Sequence, residues 1–414
     1  MRVATRLALL LCALLAAAAA AQKTKEPKRP NVGDKNDPDA YYRWGVSQMQ
    51  TYPEDAADAF YWATRLDPGN ADAFYARWVA LYLADPDLLV LHWQNDSKAM
   101  SSKDVLRIDS LQLRALELNP FLYRRYERVM WQHVIEQVVK RGDPTVDQAE
   151  LMDAVREYTS KGDAATQAVI AYSQANFPRA LEEWATAMTG FKYKAGVHAE
   201  RGRIFYLLAG YDSAAAEFQA ATAEERSADK NYLIAVYDSK AVNEQSLGII
   251  RERQGASDAA REAYGRALQE DLSYAPAHMA LANLDLAKAD TAGALSEMDI
   301  ASQVAPNDGW VAFFYGKTLL FAGHDAESLE QLKRAVKLEP YWAEPHVFMA
   351  AIYDNANYTA EAMAEYRTFL DLAPQRDNRV ARVKARLAKM SADSAAKANP
   401  GAAPAAAPPS PPAP

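Results

Sequence analysis

A single cysteine, Cys12, serves a chain of 414 residues, and it falls inside the first apolar run. Disulfide scaffolds and multi-thiolate metal sites are thereby excluded. Glycine is sparse, at 17 residues, while half the chain is hydrophobic and alanine is abundant. That balance favours helices over loops or sheets. A basic excess is missing too. The formal net charge is −8, whereas a nucleic-acid-binding surface normally carries the opposite sign. Beyond residue 21 no stretch is apolar enough for a bilayer span of about 20 residues.

Catalytic patterns are also scarce. The chain has no His-Glu-x-x-His, no glycine-rich phosphate loop and no nucleophile elbow. Its histidines, His92, His133, His198, His278, His324 and His346, show no metal-ligand spacing. Acidic pairs such as Glu182 and Glu183 read as solvated helix faces. No catalytic residue, cofactor or metal is expected.

The ends are distinctive. Arg2 and Arg6, the apolar run Leu7 to Leu15 and the small residues Ala19 to Ala21 read as a signal peptide, 1–21, cleaved before Gln22. Leu11 is too bulky for the residue preceding a lipidated cysteine, so Cys12 is not read as a lipoprotein site. Cleavage would remove Cys12 and, with Arg2 and Arg6, take the formal charge from −8 to −10. Residues 22–38, charged and interrupted by proline, suit a flexible linker. Residues 391–414 collapse into alanine and proline and read as a disordered tail.

Between these ends the chain repeats itself. Ala260, Ala294, Ser328 and Ala362 follow one another at intervals of 34. Seven residues after each come Ala267, Ala301, Ala335 and Phe369, and twelve before stand Gly248, Ala282, Gly316 and Ala350. Tyr264, Met298, Leu332 and Tyr366 lie four residues after each small residue, on the same helix face. Pro306, Pro340 and Pro374 close the later units, as in "RAVKLEP". Small residues let two helices approach closely, and a proline cannot continue the second helix. Each unit is therefore predicted to be a helix hairpin.

The pattern resembles the tetratricopeptide repeat (TPR): Gly316, Ser328-x3-Leu332, Ala335 and Pro340 in one unit, Ala282, Ala294-x3-Met298, Ala301 and Pro306 in the preceding one. Looser copies run through Ala180-x3-Trp184, Ala214-x3-Phe218 and Ala56-x3-Phe60. The resemblance implies an all-α fold, a right-handed α-solenoid of antiparallel helix hairpins, over residues 39–390. Departures from the period place insertions near 85–104 and 227–240. A stripe of Val380, Val383, Leu387 and Met390 beside basic residues reads as a capping helix, 376–390.

Such proteins hold peptides in a concave groove, and counting along the family motif places Met279, Asn283, Trp310, Phe313, Lys317 and Phe321 there. A lysine clamp for chaperone carboxylates is absent, because Gln245, Met279, Phe313 and Val347 hold the first clamp position. Arg124, Arg125 and Arg128 form a possible anion patch, with Arg124 and Arg128 one turn apart on a presumed helix. The expectation is an exported scaffold or assembly factor of the cell envelope, periplasmic or extracellular, that binds a protein or peptide and no nucleic acid. The alternatives are a carbohydrate or small-ligand binder and a hydrolase within residues 85–163, the latter needing two converging acids.

Overall fold

The computed structural model describes residues 26–93, 103–142, 144–147, 149–153, 163–191, 194–228 and 239–398. All regular structure among them is helical. Two blocks, residues 26–142 and 164–398, are called the first and second halves below; the first contributes α1 (Pro38–Gln48), α2 (Pro53–Leu66), α3 (Ala71–Ala84), α4 (Pro86–Trp93), α5 (Lys103–Leu118) and α6 (Glu127–Gly142). In the second half α7 (Ala164–Ser173) pairs with α8 (Phe177–Ala187), α9 (Ala195–Leu207) with α10 (Tyr211–Ala228), and α11 (Lys240–Arg253) with α12 (Ser257–Glu270). Next come α13 (Ala275–Ala287) with α14 (Thr291–Val304), α15 (Gly309–Phe321) with α16 (Asp325–Leu338), and α17 (Glu344–Asn355) with α18 (Thr359–Leu372). Helix α19 (Arg379–Ala398) packs on α18 and ends the array. The fold is an all-α solenoid of antiparallel hairpins.

The repeat's small residues sit where the two helices of a hairpin nearly touch. A methyl added at Gly248 would lie 2.3 Å from the Tyr264 ring, and one at Gly202 would lie 2.8 Å from Phe218. Ala260, Ala294 and Ala362 are buried, as are their partners Tyr264, Met298 and Tyr366. Ser328 takes the same place because its hydroxyl donates to the Gly316 carbonyl at 2.7 Å, so no polar group is stranded.

Two further devices repeat. In the six hairpins from α7 to α18 the first helix ends on a left-handed residue: Ala175, Ala209, Gly255, Ala289, Gly323 and Asn357. The next amide reaches back to the carbonyl five residues earlier, as Asp290 N does to Asp285 O at 2.9 Å. The arginine of "RAVKLEP", Arg334, donates to Ser302 Oγ at 2.7 Å and to the Pro306 carbonyl, tying its unit to the preceding closing loop.

Several boundaries differ from the sequence reading. Residues 26–37 of the expected linker are docked. Arg29 lies 4.4 Å over the Trp62 ring and donates to Tyr41 Oη, while Trp62 Nε1 donates to the Pro27 carbonyl. Charged and proline-rich composition concealed an aromatic socket. The cap runs from Arg379 to Ala398, so the first eight residues of the expected tail continue a helix. Its Val383 and Met390 are buried, and Val380 and Leu387 pack beside them. The predicted signal, residues 94–102 and 229–238 of the expected insertions, and the tail from residue 399 lie outside the described residues.

Candidate functional site

The face expected to hold a ligand is met by the chain's own first half. Contacts run in reverse order along a seam. Asn36 donates to the Asp371 carbonyl, Trp62 packs edge-on against Tyr341 at 5.1 Å, and Arg65 donates to the Leu338 carbonyl. Arg114 pairs with Asp308 at 2.8 Å, Gln245 donates to the Glu117 carbonyl, and Arg203 donates to the Pro120 carbonyl. Tyr206 stacks on Phe121, with centroids 3.5 Å apart. Gln245 and Arg203 stand on the first helices of their hairpins, at the positions the repeat motif assigns to the groove.

This occupancy changes the reading of the six groove residues. Phe313, 2% exposed, packs against Trp342 and Phe348 at centroid distances of 4.5 and 5.5 Å. Trp310 stacks on Trp342 and lies against Gly69, where an added methyl would sit 2.2 Å from the indole. Both rings are spent on packing, because the preceding count located groove positions without the residues that cover them. Met279 is half-buried beside Ala275, Ala301 and Val311. Lys317 Nζ rests 4.9 to 5.5 Å over the rings of Phe314, Phe313 and Phe348. Asn283 is exposed, and Phe321 is 69% exposed. The structure thus leaves Asn283, Lys317 and Phe321 facing solvent to different degrees and removes Trp310 and Phe313.

The anion patch does not assemble. Helix α6 starts at Glu127, so Arg124 lies in the preceding loop and does not share a helix with Arg128. Arg124 is 3% exposed and pairs with Glu200 and with Glu127. Arg203, fully buried, donates to Glu200 at 2.9 Å. Burial raises the Glu127 pKa; it also works against charge on Glu200, but Arg124 and Arg203 outweigh it and hold Glu200 below the usual range. This quartet joins the two halves. Arg125 is exposed, lies over the Tyr123 and Tyr126 rings and pairs with Asp72 at 3.3 Å, and Arg128 points outward.

Farther along the seam a cleft of about 600 Å³ opens between the halves, with Phe74, Leu113, Arg114, Glu117, Asp308 and Glu339 among its lining. Arg65 reaches Glu339 at 2.5 Å and Arg114 lies 3.6 Å from Glu117. Burial pushes the Glu339 carboxyl up to about 7, with Asp308 adding to the rise, and burial likewise raises Glu117. A second cavity, about 270 Å³, is lined by Met49, Leu83, Val129, His133 and Glu136. Among the described residues Glu136 is the one acid of its lining, so these do not supply the two converging acids that a hydrolase would need.

The sequence analysis missed a constellation. His198, His278 and His346 each contact a glutamate 19 residues on, Glu217, Glu297 and Glu365, at 2.7, 2.7 and 2.6 Å. Each histidine stands four residues before the small residue of its first helix, and each glutamate three after that of its second. The constant offset was the available signal.

No family model and no curated protein matches the chain. Several solved structures are similar to it over part or most of its length. One is YrrB, described as a TPR protein with an unusual peptide-binding site: 16% identical, covering 50% of this chain and 99% of that one, TM-score 0.38. Yeast Tom70 is 12% identical over 88% of this chain and 91% of its own, TM-score 0.45. PilF of Pseudomonas aeruginosa is 18% identical over 50% and 94%, TM-score 0.40. The repeat geometry above, taken by itself, defines the class as an all-α solenoid of tetratricopeptide-like hairpins.

Proposed function

We propose that the chain is an exported, non-catalytic scaffold of the cell envelope, periplasmic in the first instance, that holds a protein or peptide partner on the open part of its inner face. The observation that carries the reading is Phe321. It stands 69% exposed at the end of α15, one helical turn beyond Lys317. Asn283 holds the place of Lys317 one unit earlier and is exposed. A free aromatic one turn from a cation, with an amide at the cation's place in the preceding unit, suits an apolar side chain with a carboxylate nearby, and such exposed apolar positions mark interaction sites.

The test is a photo-crosslinking residue at Phe321, with Glu262 on the exposed face of α12 as control. A partner joined from position 321, absent from position 262 and lost with Lys317→Glu is the expected outcome. Equal labelling from both positions overturns the site. Export is tested separately, by N-terminal sequencing that should begin at Gln22.

A further inference from the structure

Residues 26–37 cross the seam as a strap that is held through side chains. Exposed and half-buried residues nearly alternate along it, as in an extended segment lying on a surface. Among the described residues no backbone–backbone hydrogen bond ties 26–36 to another element. Arg29 is the anchor. Its guanidinium lies 4.4 Å from the centre of the Trp62 ring, 5.6 Å from Tyr41 and 5.8 Å from Tyr341, a cation–π socket of three rings. Tyr41 stands on α1 and Trp62 on α2, whereas Tyr341 belongs to the loop between α16 and α17. The socket is therefore complete only where the two halves meet. Glu26 accepts from Tyr341 Oη at 2.9 Å, Asn36 donates to the Asp371 carbonyl at 2.7 Å, and Asp34 accepts from Gln375 N at 2.8 Å. The strap thus grips the second half near both of its ends.

We propose that Tyr41, Trp62 and Tyr341 form a recognition socket for the arginine of an extended, proline-bearing peptide, with residues 26–37 as its internal ligand. A partner segment of the same chemistry takes the socket by displacing them. The residues around Arg29 define that chemistry. The Pro27 carbonyl accepts from Trp62 Nε1 at 3.3 Å, and Pro27 and Pro30 restrict the backbone on either side, which lowers the ordering cost of binding. The Lys28 side chain between Pro27 and Arg29 is exposed, so that position is free to vary. Arginine suits the socket better than lysine. While its guanidinium lies over Trp62, Nε donates to Tyr41 Oη at 2.8 Å and a terminal nitrogen donates to the Lys35 carbonyl. An attached ligand competes at the effective concentration set by its short tether, and an incoming segment must overcome that advantage. The socket goes beyond the binding reading at Phe321 and does not depend on it.

The probe is a fluorescein-labelled synthetic peptide of residues 26–37, titrated into the full chain and followed by anisotropy. The full chain carrying Arg29→Ala, whose strap has lost its anchor, should bind the peptide at least about tenfold more tightly than the unsubstituted chain, where the resident strap competes. The same peptide carrying Arg29→Lys should bind the Arg29→Ala chain more weakly. Helix content in the Arg29→Ala chain should be unchanged, because residues 26–37 precede α1. Absence of binding to the Arg29→Ala chain, or equal binding to both chains, overturns the proposal. So does equal binding of the two peptides, or a loss of helix content that makes the strap part of the folded core.

Discussion

The two ends of the seam are built from opposite materials. Near its turn, Leu116 and Phe121 from the first half are buried within apolar clusters of the second, and the Arg124, Glu127, Glu200 and Arg203 quartet is shut away beneath them. At the far end the contacts are polar and largely wet. Arg376 reaches Asp37 and Asp39 from a side chain that is itself more than half exposed. Buried charges that lose a partner cost several kcal/mol, whereas exposed pairs contribute about 0–1 kcal/mol. The near end therefore fixes the register of the halves, and the far end is where they can part.

The sharpest way to break that comparison is a pair of truncations. Arg203→Ala strands Glu200 beside Arg124 alone and leaves the Pro120 carbonyl without its donor, so unfolding should become about 3–5 kcal/mol easier in urea titration. Arg376→Ala should change the same titration by less than about 1 kcal/mol. Its effect should be local, visible as faster amide exchange around Pro374. Comparable losses from both variants would make the two ends energetically alike.

Between the ends, His278 offers a pH test. Its Nδ1 faces Glu297 at 2.7 Å and its Nε2 the Leu272 carbonyl at 3.2 Å, so both nitrogens face acceptors, an arrangement that favours the protonated ring. Burial works against that charge, but the two acceptors outweigh it and raise the pKa above 6.5. The stabilisation is complete below the unfolded value and is lost as pH rises through the folded one. His278→Gln should therefore cost most in mild acid and least above neutrality. Urea titration of both chains in mild acid and above neutrality checks this, and an equal loss at the two pH values would sink it.

The hairpins were legible because their determinants are local. Gly248 and Tyr264, or Gly316 and Leu332, stand 16 residues apart and recur on a fixed period, so close approach and its filler can be read together. The seam was not. Its partners lie far apart in sequence, Arg114 and Asp308 or Asn36 and Asp371, and no period links one to the other. Trp310 and Phe313 show the consequence at the candidate site. Their groove positions were counted within one unit, whereas what covers them comes from Gly69 and Trp342 in other units. Phe321 stayed open because it lies at the helix end, beyond the reach of that packing.

The smallest expected effect sharpens the comparison from the other side. Ala209 and Ala289 close α9 and α13 with φ of 58° and 60°, a backbone region that costs an L-residue about 1–2 kcal/mol. Glycine removes that strain but adds freedom to the unfolded chain, at about 0.5–1 kcal/mol. Ala209→Gly and Ala289→Gly should each raise stability by the difference, about 0.5 kcal/mol in thermal unfolding. Ala209 follows the helix that carries Arg203 at the buried end, while Ala289 follows the helix that carries Asn283 on the open face. Turn strain is local, so the two gains should match although the surroundings differ. A clear gain at Ala289 with none at Ala209 would mean that the buried seam reaches through α9 to set the geometry of its turn.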